Sequence, residues 1–263
     1  FYGCVKDDYA VYFFHEPMKL DLASEEGRSS YLRLPALNKG IAMLDFVDKF
    51  IELHRAGIVH SDIKLENFVT KGTGFSDFRI LDLNFANYNG KKFIGGTNEF
   101  MDPFVLHRPP YYRILDVKND IYALGMTLAD LQGDFGNTLA NLRKIDIKKM
   151  DCIKKWKKEI TAGLASAFTF KKGLEYFRGA LELVLKFDSK DQIKTMEDLS
   201  LKLLGRFKSL TGYNTFIRIL KSSGKKYDIN SKTPSFWRNT LLNEIDRSQP
   251  KSNEVRKIVS VKP

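Results

Sequence analysis

Residues 58–67 mix apolar and charged side chains with no clean period, and contain His60-Ser61-Asp62-Ile63-Lys64-Leu65-Glu66-Asn67. The stretch lies between a helical pattern and a strand pattern, where functional loops are commonly carried. Further along, Leu81-Asp82-Leu83-Asn84 sets a carboxylate at the end of an apolar strand. Asn67 and Asp82 offer hard oxygen atoms of the kind Mg²⁺ takes as ligands. A purely structural account would make Asp62 a loop cap and Lys64 a surface charge.

The elements that must position these residues follow from period and punctuation. Ile41, Leu44, Val47, Ile51 and His54 recur at helical spacing, and Gly57 suits a C-terminal stop. Phe68–Thr70 and Phe78–Leu81 read as a hairpin around Gly72 and Gly74. An earlier hairpin is expected from Phe1–Lys6 and Tyr9–Phe14, turning at Asp7-Asp8 and leaving its sheet at Pro17. Asn119 is placed to cap a helix over Asp120–Leu131 that is apolar on nearly every side, the mark of a buried central helix. Helical patterns dominate from Asp146 to about Leu210. From Lys221 the periodicity fades, apart from Phe236–Ile245.

The 263 residues allow one large domain or two small ones, and 43% apolar with 29% charged residues is ordinary for a globular chain. Two cysteines and four histidines fall in no metal-ligand spacing, so a cytoplasmic or other reducing compartment is expected. No apolar run is long enough to span a membrane, and no signal peptide is visible. The net charge of +11 favours acidic partners. Much of it crowds what reads as one helical stretch: Arg143, Lys144, Lys148, Lys149, Lys154, Lys155, Lys157 and Lys158. That stretch is either a solvated face or a site for a polyanion. Phe1 opens without a methionine in sequence that already reads as a strand, so the chain is expected to be a piece of something longer.

Taken together, the loop at His60–Asn67 and the later Asp82 resemble the protein-kinase catalytic loop H-R-D-x-K-x-x-N followed by D-F-G. Gly96-Thr97-Asn98-Glu99-Phe100-Met101-Asp102-Pro103 resembles the segment G-T-x-x-Y-M-A-P that closes an activation loop. Asn119-Asp120-Ile121-Tyr122-Ala123-Leu124-Gly125 is similar to S-D-V-W-S-L-G at the start of the buried central helix. Phe187-Asp188 through Thr195-Met196-Glu197-Asp198-Leu199 resembles the late D-P-x-x-R-P-T segment. The motifs come in family order and cover roughly Phe1 to Leu204.

The resemblance implies an α+β, protein-kinase-like fold: a mainly helical lower lobe with a remnant of the upper-lobe sheet. Residues 1–18 would be the end of that sheet and the hinge, 19–210 the helical lobe, and 211–263 a basic C-terminal extension. It implies ATP and Mg²⁺ as cofactors and a protein hydroxyl as substrate. Phosphoryl transfer asks the protein mainly for positioning and charge neutralisation. Asp62 would orient the substrate hydroxyl, Lys64 would face the transferring phosphate, and Asn67 and Asp82 would hold the metal. Glu16 and Met18 would pair with adenine through their backbone, and Val69 would be the floor under the base. Asp21 would meet the ribose, with a plain connector as the competing reading. Asp120 would hold the catalytic-loop backbone from below, and Thr97 would touch Asp62 and Lys64, a serine/threonine-kinase trait. His60 reads as a packed structural residue.

The sequence also departs from the family pattern. Ser61 replaces the arginine that receives an activation-loop phosphate, which puts that mode of activation in doubt. Asn84 replaces the D-F-G glycine hinge, and since an asparagine can tolerate a left-handed backbone the turn itself stays feasible. Phe104 replaces the A-P-E glutamate and Gln192 its late arginine partner, a paired loss that strands no buried charge. The glycine-rich loop, strand lysine and helix glutamate should precede Phe1, supplied by an upstream segment or another chain. Three readings stay open: a serine/threonine kinase, a pseudokinase scaffold, and a kinase fold performing another ATP-dependent transfer such as nucleotidylation or glutamylation.

Overall fold

The computed structural model describes residues 3–6, 11–14, 18, 20–34, 36–70, 78–133, 135–168, 178, 181–182, 184–185 and 193–206. Strands come first: β1 (Gly3–Lys6), β2 (Val11–Phe14) and β3 (Leu20–Asp21). Next are α1 (Glu25–Leu32), α2 (Ala36–Arg55), β4 (Ile58–Val59), β5 (Phe68–Thr70), β6 (Phe78–Ile80) and β7 (Asn87–Tyr88). Helices follow: α3 (Pro103–His107), α4 (Val117–Asp130), α5 (Gly136–Arg143), α6 (Cys152–Phe168) and α7 (Met196–Arg206). Among the described residues no helix is long and apolar enough to cross a membrane.

β1 and β2 pair antiparallel with Gly3 opposite Phe14, as their aromatic and β-branched residues predict. The turn expected at Asp7-Asp8 lies outside the described residues. So do Glu16, Pro17, Gly72, Gly74, Phe187-Asp188, Gln192 and the whole 211–263 extension with Phe236–Ile245.

The second sheet runs β3-β5-β6, antiparallel throughout. Its register pairs Leu20 with Thr70 and Thr70 with Phe78, and pairs Asp21 with Val69 and Val69 with Arg79. Cross-strand partners share a face, and faces alternate along a strand. One face therefore carries Leu20, Thr70 and Phe78, all buried. It meets α2, where Phe46 stacks on Phe78 at 4.0 Å between ring centroids and meets Phe68 edge-on at 4.6 Å. The other face carries Asp21, Val69 and Arg79, away from that core.

α4 is the axis of the fold. Every residue from Asp120 to Asp130 is buried. Trp156 of α6 donates its Nε1–H to the Tyr122 hydroxyl at 2.9 Å, which satisfies both polar atoms inside the core. The cap is not Asn119. Asp116 sits in extended backbone and accepts from the Lys118 N–H, so the helix starts before the apolar run that marks it in sequence. Asn119 is thereby the third residue inside it.

The basic stretch is not one helix either. Arg143 ends α5, residues 144–151 run through turns, and Lys154, Lys155, Lys157 and Lys158 lie on α6. Helix therefore resumes at Cys152 rather than at Asp146.

α1 is held against the β3 strand by a close approach at Gly27. A Cβ there would come within 2.1 Å of the Asp21 carbonyl oxygen and 3.1 Å of Leu22 Cα. These are backbone atoms, which cannot rotate away. Alanine in a helix gains about 1 kcal/mol over glycine in propensity. Displacing packed backbone costs roughly 1–3 kcal/mol or more, so the clash decides the sign. Gly27→Ala should destabilise the chain by about 1–2 kcal/mol in urea unfolding. A variant as stable as the wild type would show that α1 can slide.

Candidate active site

The loop after β4 is fixed by a single buried carboxylate beneath it. Asp120 is fully buried, and its Oδ2 accepts from the His60 N–H at 2.7 Å while its Oδ1 accepts from the Ser61 N–H at 2.9 Å. His54 Nε2, on the last turn of α2, donates to the same Oδ2 at 2.9 Å. His54 counts as an apolar-face position in the helical pattern, and its role as a polar partner has no local sequence signal.

His60 is a clamp. Its Nδ1 accepts from the Asp62 N–H at 3.3 Å and its Nε2 reaches the Leu81 carbonyl at 3.1 Å, which assigns the Nε2–H tautomer. Its ring is buried and meets Phe50 edge-on at 5.9 Å. A structural histidine is what the sequence predicts here. Ser61 takes φ 72°, a left-handed conformation that strains a non-glycine residue. The Gly96 backbone lies directly over it. A Cβ on Gly96 would come within 2.4 Å of the Ser61 carbonyl oxygen, so glycine is required by that contact.

Around Asp62 the described donors converge. Oδ1 accepts from the Thr97 N–H at 2.8 Å and the Thr97 hydroxyl at 2.7 Å. Oδ2 faces Lys64 Nζ at 3.0 Å and Asn67 Nδ2 at 3.3 Å. Lys64 Nζ also donates to Thr97 Oγ1 at 2.9 Å, so the hydroxyl relays between cation and carboxylate. Asn67 Nδ2 closes the loop on the Asp62 carbonyl at 2.7 Å. Burial pushes the Asp62 carboxyl up, but hydrogen bonds from Thr97 and Lys64, together with the Lys64 charge, outweigh it and hold the group below its ordinary value.

The residue before Asp82, Leu81, donates its N–H to the Asn67 carbonyl at 2.9 Å. Asp82 itself takes φ 56°. The left-handed residue of this turn is therefore the aspartate and not Asn84, whose N–H instead binds Asp82 Oδ1 at 3.2 Å. Aspartate tolerates that region because its short side chain bonds the local backbone. Asp82 is exposed, and Asn67, its amide nitrogen spent on Asp62, has its side-chain oxygen left to offer. Among the described residues no group of three or more His, Cys, Asp or Glu is placed to hold a metal ion. Mg²⁺ at a nucleotide needs none, since it is held by one or two protein oxygens with waters and phosphates. The donor set at Asn67 and Asp82 fits it.

Of the remaining candidates, Val69 is buried and lies directly opposite Asp21 in register, on the sheet face turned from the core. Asp21 is exposed, and its Oδ1 accepts from the Ala23 N–H at 2.8 Å. Met18 is half-buried.

The segment from Asp82 to Pro103 is stitched by main chain. β7 pairs with β4. Beyond it, the Gly90 N–H donates to Leu115 O at 2.9 Å, Leu115 N–H to Lys91 O at 2.8 Å, and Phe93 N–H to Arg113 O at 2.9 Å. Near the far end, Glu99 is buried and pairs with Arg143 of α5. This ion pair joins residues far apart in sequence and has no local sequence signal. It ties the segment to α5, and Phe104 further along packs against the core.

Two outcomes follow. Asp120→Ala strands two buried loop N–H groups and should cost about 2–4 kcal/mol in unfolding free energy. A loss no larger than that of a surface substitution would contradict the anchoring. The folded Asp62 carboxyl is the stronger acid, so its contribution is full above the unfolded pKa of about 3.9 and is lost as pH falls through the lower folded value. The stability gap between wild type and Asp62→Asn, read by urea unfolding, should therefore shrink as pH drops below about 4. A gap that widened in acid would reverse the assignment.

A family profile described as protein kinase domain matches residues 1–195, well over half of the 263. The chain belongs to the protein kinase domain family.

Proposed function

We propose that this chain carries the helical lobe of an ATP- and Mg²⁺-dependent kinase acting on serine or threonine hydroxyls of a protein. The observation that carries this reading is the Asp62 carboxylate held by Thr97, Lys64 and Asn67 at once. A structural loop cap needs one or two donors, whereas these converge on both oxygens and come from the loop and from the closing segment. When bound, ATP with Mg²⁺ supplies the transferable phosphoryl group and much of the charge neutralisation.

The residues divide the remaining work. Asn67 and Asp82 would hold the metal through oxygen. Lys64 sits within reach of both Asp62 and Thr97, and would turn its ammonium to the transferring phosphate. A carboxylate accepts at about four lone-pair sites. Those of Asp62 are occupied, so an incoming hydroxyl must displace a donor, and the Thr97 hydroxyl is the one free to rotate. A carboxylate held this acidic aligns the hydroxyl and takes its proton late. Glu16 and Met18 would present backbone groups to adenine, over Val69, and Asp21 would stand at the ribose. Thr97 with Lys64 supports a serine/threonine acceptor.

The β1–β2 ribbon belongs, in this reading, to a larger upper sheet provided by an upstream segment or another chain. Among the described residues the two strands pair only with each other. An isolated two-stranded ribbon is marginal in water.

The complete protein should transfer label from γ-labelled ATP to a protein hydroxyl and none from α-labelled ATP. Asp62→Ala and Asp82→Ala should each lower the rate by about 10²–10⁴. Ser61→Ala should leave it nearly unchanged, because that buried hydroxyl has no hydrogen-bond partner. Transfer of the α label would replace the kinase reading with nucleotidyl transfer, and full activity of Asp82→Ala would sink the metal assignment.

A further inference from the structure

The turns joining α5 to α6 present one apolar side chain in a basic field. Met150 is 92% exposed. It is not on a loose tether. Asp146 Oδ1 accepts from the Lys148 N–H at 3.0 Å and its carbonyl from the Lys149 N–H at 3.2 Å. Ile147 packs against the core, His107 Nδ1 donates to its carbonyl at 2.9 Å, and Cys152 just beyond is buried. The tip is therefore pre-organised, and little ordering cost remains on binding.

The charge around it has a direction. On α6 the buried stripe is Cys152, Trp156, Ile160, Gly163 and Leu164. At 3.6 residues per turn, Lys154 and Lys158 fall opposite that stripe. Both are exposed, as are Lys148 and Lys149 beside Met150. Lys155 is set apart by its ion pair with Asp151 at 2.7 Å, and Arg143 by its pair with Glu99.

We propose that this surface docks the protein peripherally on an anionic bilayer, with Met150 entering the headgroup boundary and Lys148, Lys149, Lys154 and Lys158 facing the lipid phosphates and serine headgroups. An exposed thioether gains nothing from a phosphate backbone but gains by transfer to an apolar boundary. Single-stranded nucleic acid would call for exposed aromatic platforms. The aromatic residues of this helix, Trp156 and Phe168, are 1% and 3% exposed and committed to the core.

The test is co-sedimentation of the full chain with phosphatidylcholine vesicles, with and without phosphatidylserine. Binding should require phosphatidylserine and weaken with added salt. Each basic residue near such a surface contributes roughly a fivefold gain in affinity. Lys154→Glu with Lys158→Glu should therefore lower binding by about 25-fold or more. Met150→Ser should lower it about tenfold while leaving the salt dependence intact. Both variants alter exposed side chains, and an unchanged Tm confirms that the fold is kept. Single-stranded RNA is the second probe. RNA binding that needs the lysines and ignores Met150, without vesicle binding, would move the surface to nucleic acid and overturn the proposal. Vesicle binding indifferent to both variants would overturn it too.

Discussion

A carboxylate removed entirely from water must be met by donors, and Asp120 is met by the backbone of the loop that carries Asp62. Burying such a charge unpaired would cost several kcal/mol. The central helix therefore cannot be seated unless the His60 and Ser61 N–H groups are turned down onto it. That orientation forces Ser61 into a left-handed conformation, which only a surrounding structure that over-determines it can sustain. The Ser61 carbonyl then faces Gly96, whose missing side chain lets the closing segment approach and bring Thr97 onto Asp62. Core, loop and segment are thus one chain of obligations that starts from a single buried charge.

Much of this was legible because the relevant signals are short-range. Asp62, Lys64 and Asn67 lie within one loop, and Asp82 follows one hairpin later, so their order and spacing survive in the sequence. The β5–β6 pairing and the buried α4 were legible for the same reason, through two short apolar segments around glycines and a helix apolar on nearly every side. What failed was local chemistry with two solutions. Asp116 and Asn119 can both cap, and the choice fell to the one whose backbone is extended before Val117. The turn after β6 is feasible with asparagine in place of glycine, and it takes its left-handed residue at Asp82, whose side chain accepts from the Asn84 N–H.

Other features carried no local pattern. The two-residue β3 strand exists because Val69 and Thr70 present an edge to it, and α1 is placed by the absence of a side chain at Gly27. Glu99 and Arg143 find each other only after α5 has packed. The run of basic residues looked like one helix because lysine is compatible with helix and turn alike. It was broken by Asp146, whose side chain bonds a backbone N–H two residues on.

The ladder between Lys91, Phe93, Arg113 and Leu115 turns the residues between into a closed loop with a main-chain stem. Closing such a loop is an entropic matter that grows only logarithmically, at about 0.6 kcal/mol for each doubling of length. The portion that bears the exposed Ile94, Tyr111 and Tyr112 can therefore change in composition, or even lengthen, while the stem and the Thr97 contact stay put. Stability and surface identity are decoupled there, so neighbouring sequences can explore new contact surfaces along a nearly neutral path without disturbing the carboxylate a short distance away.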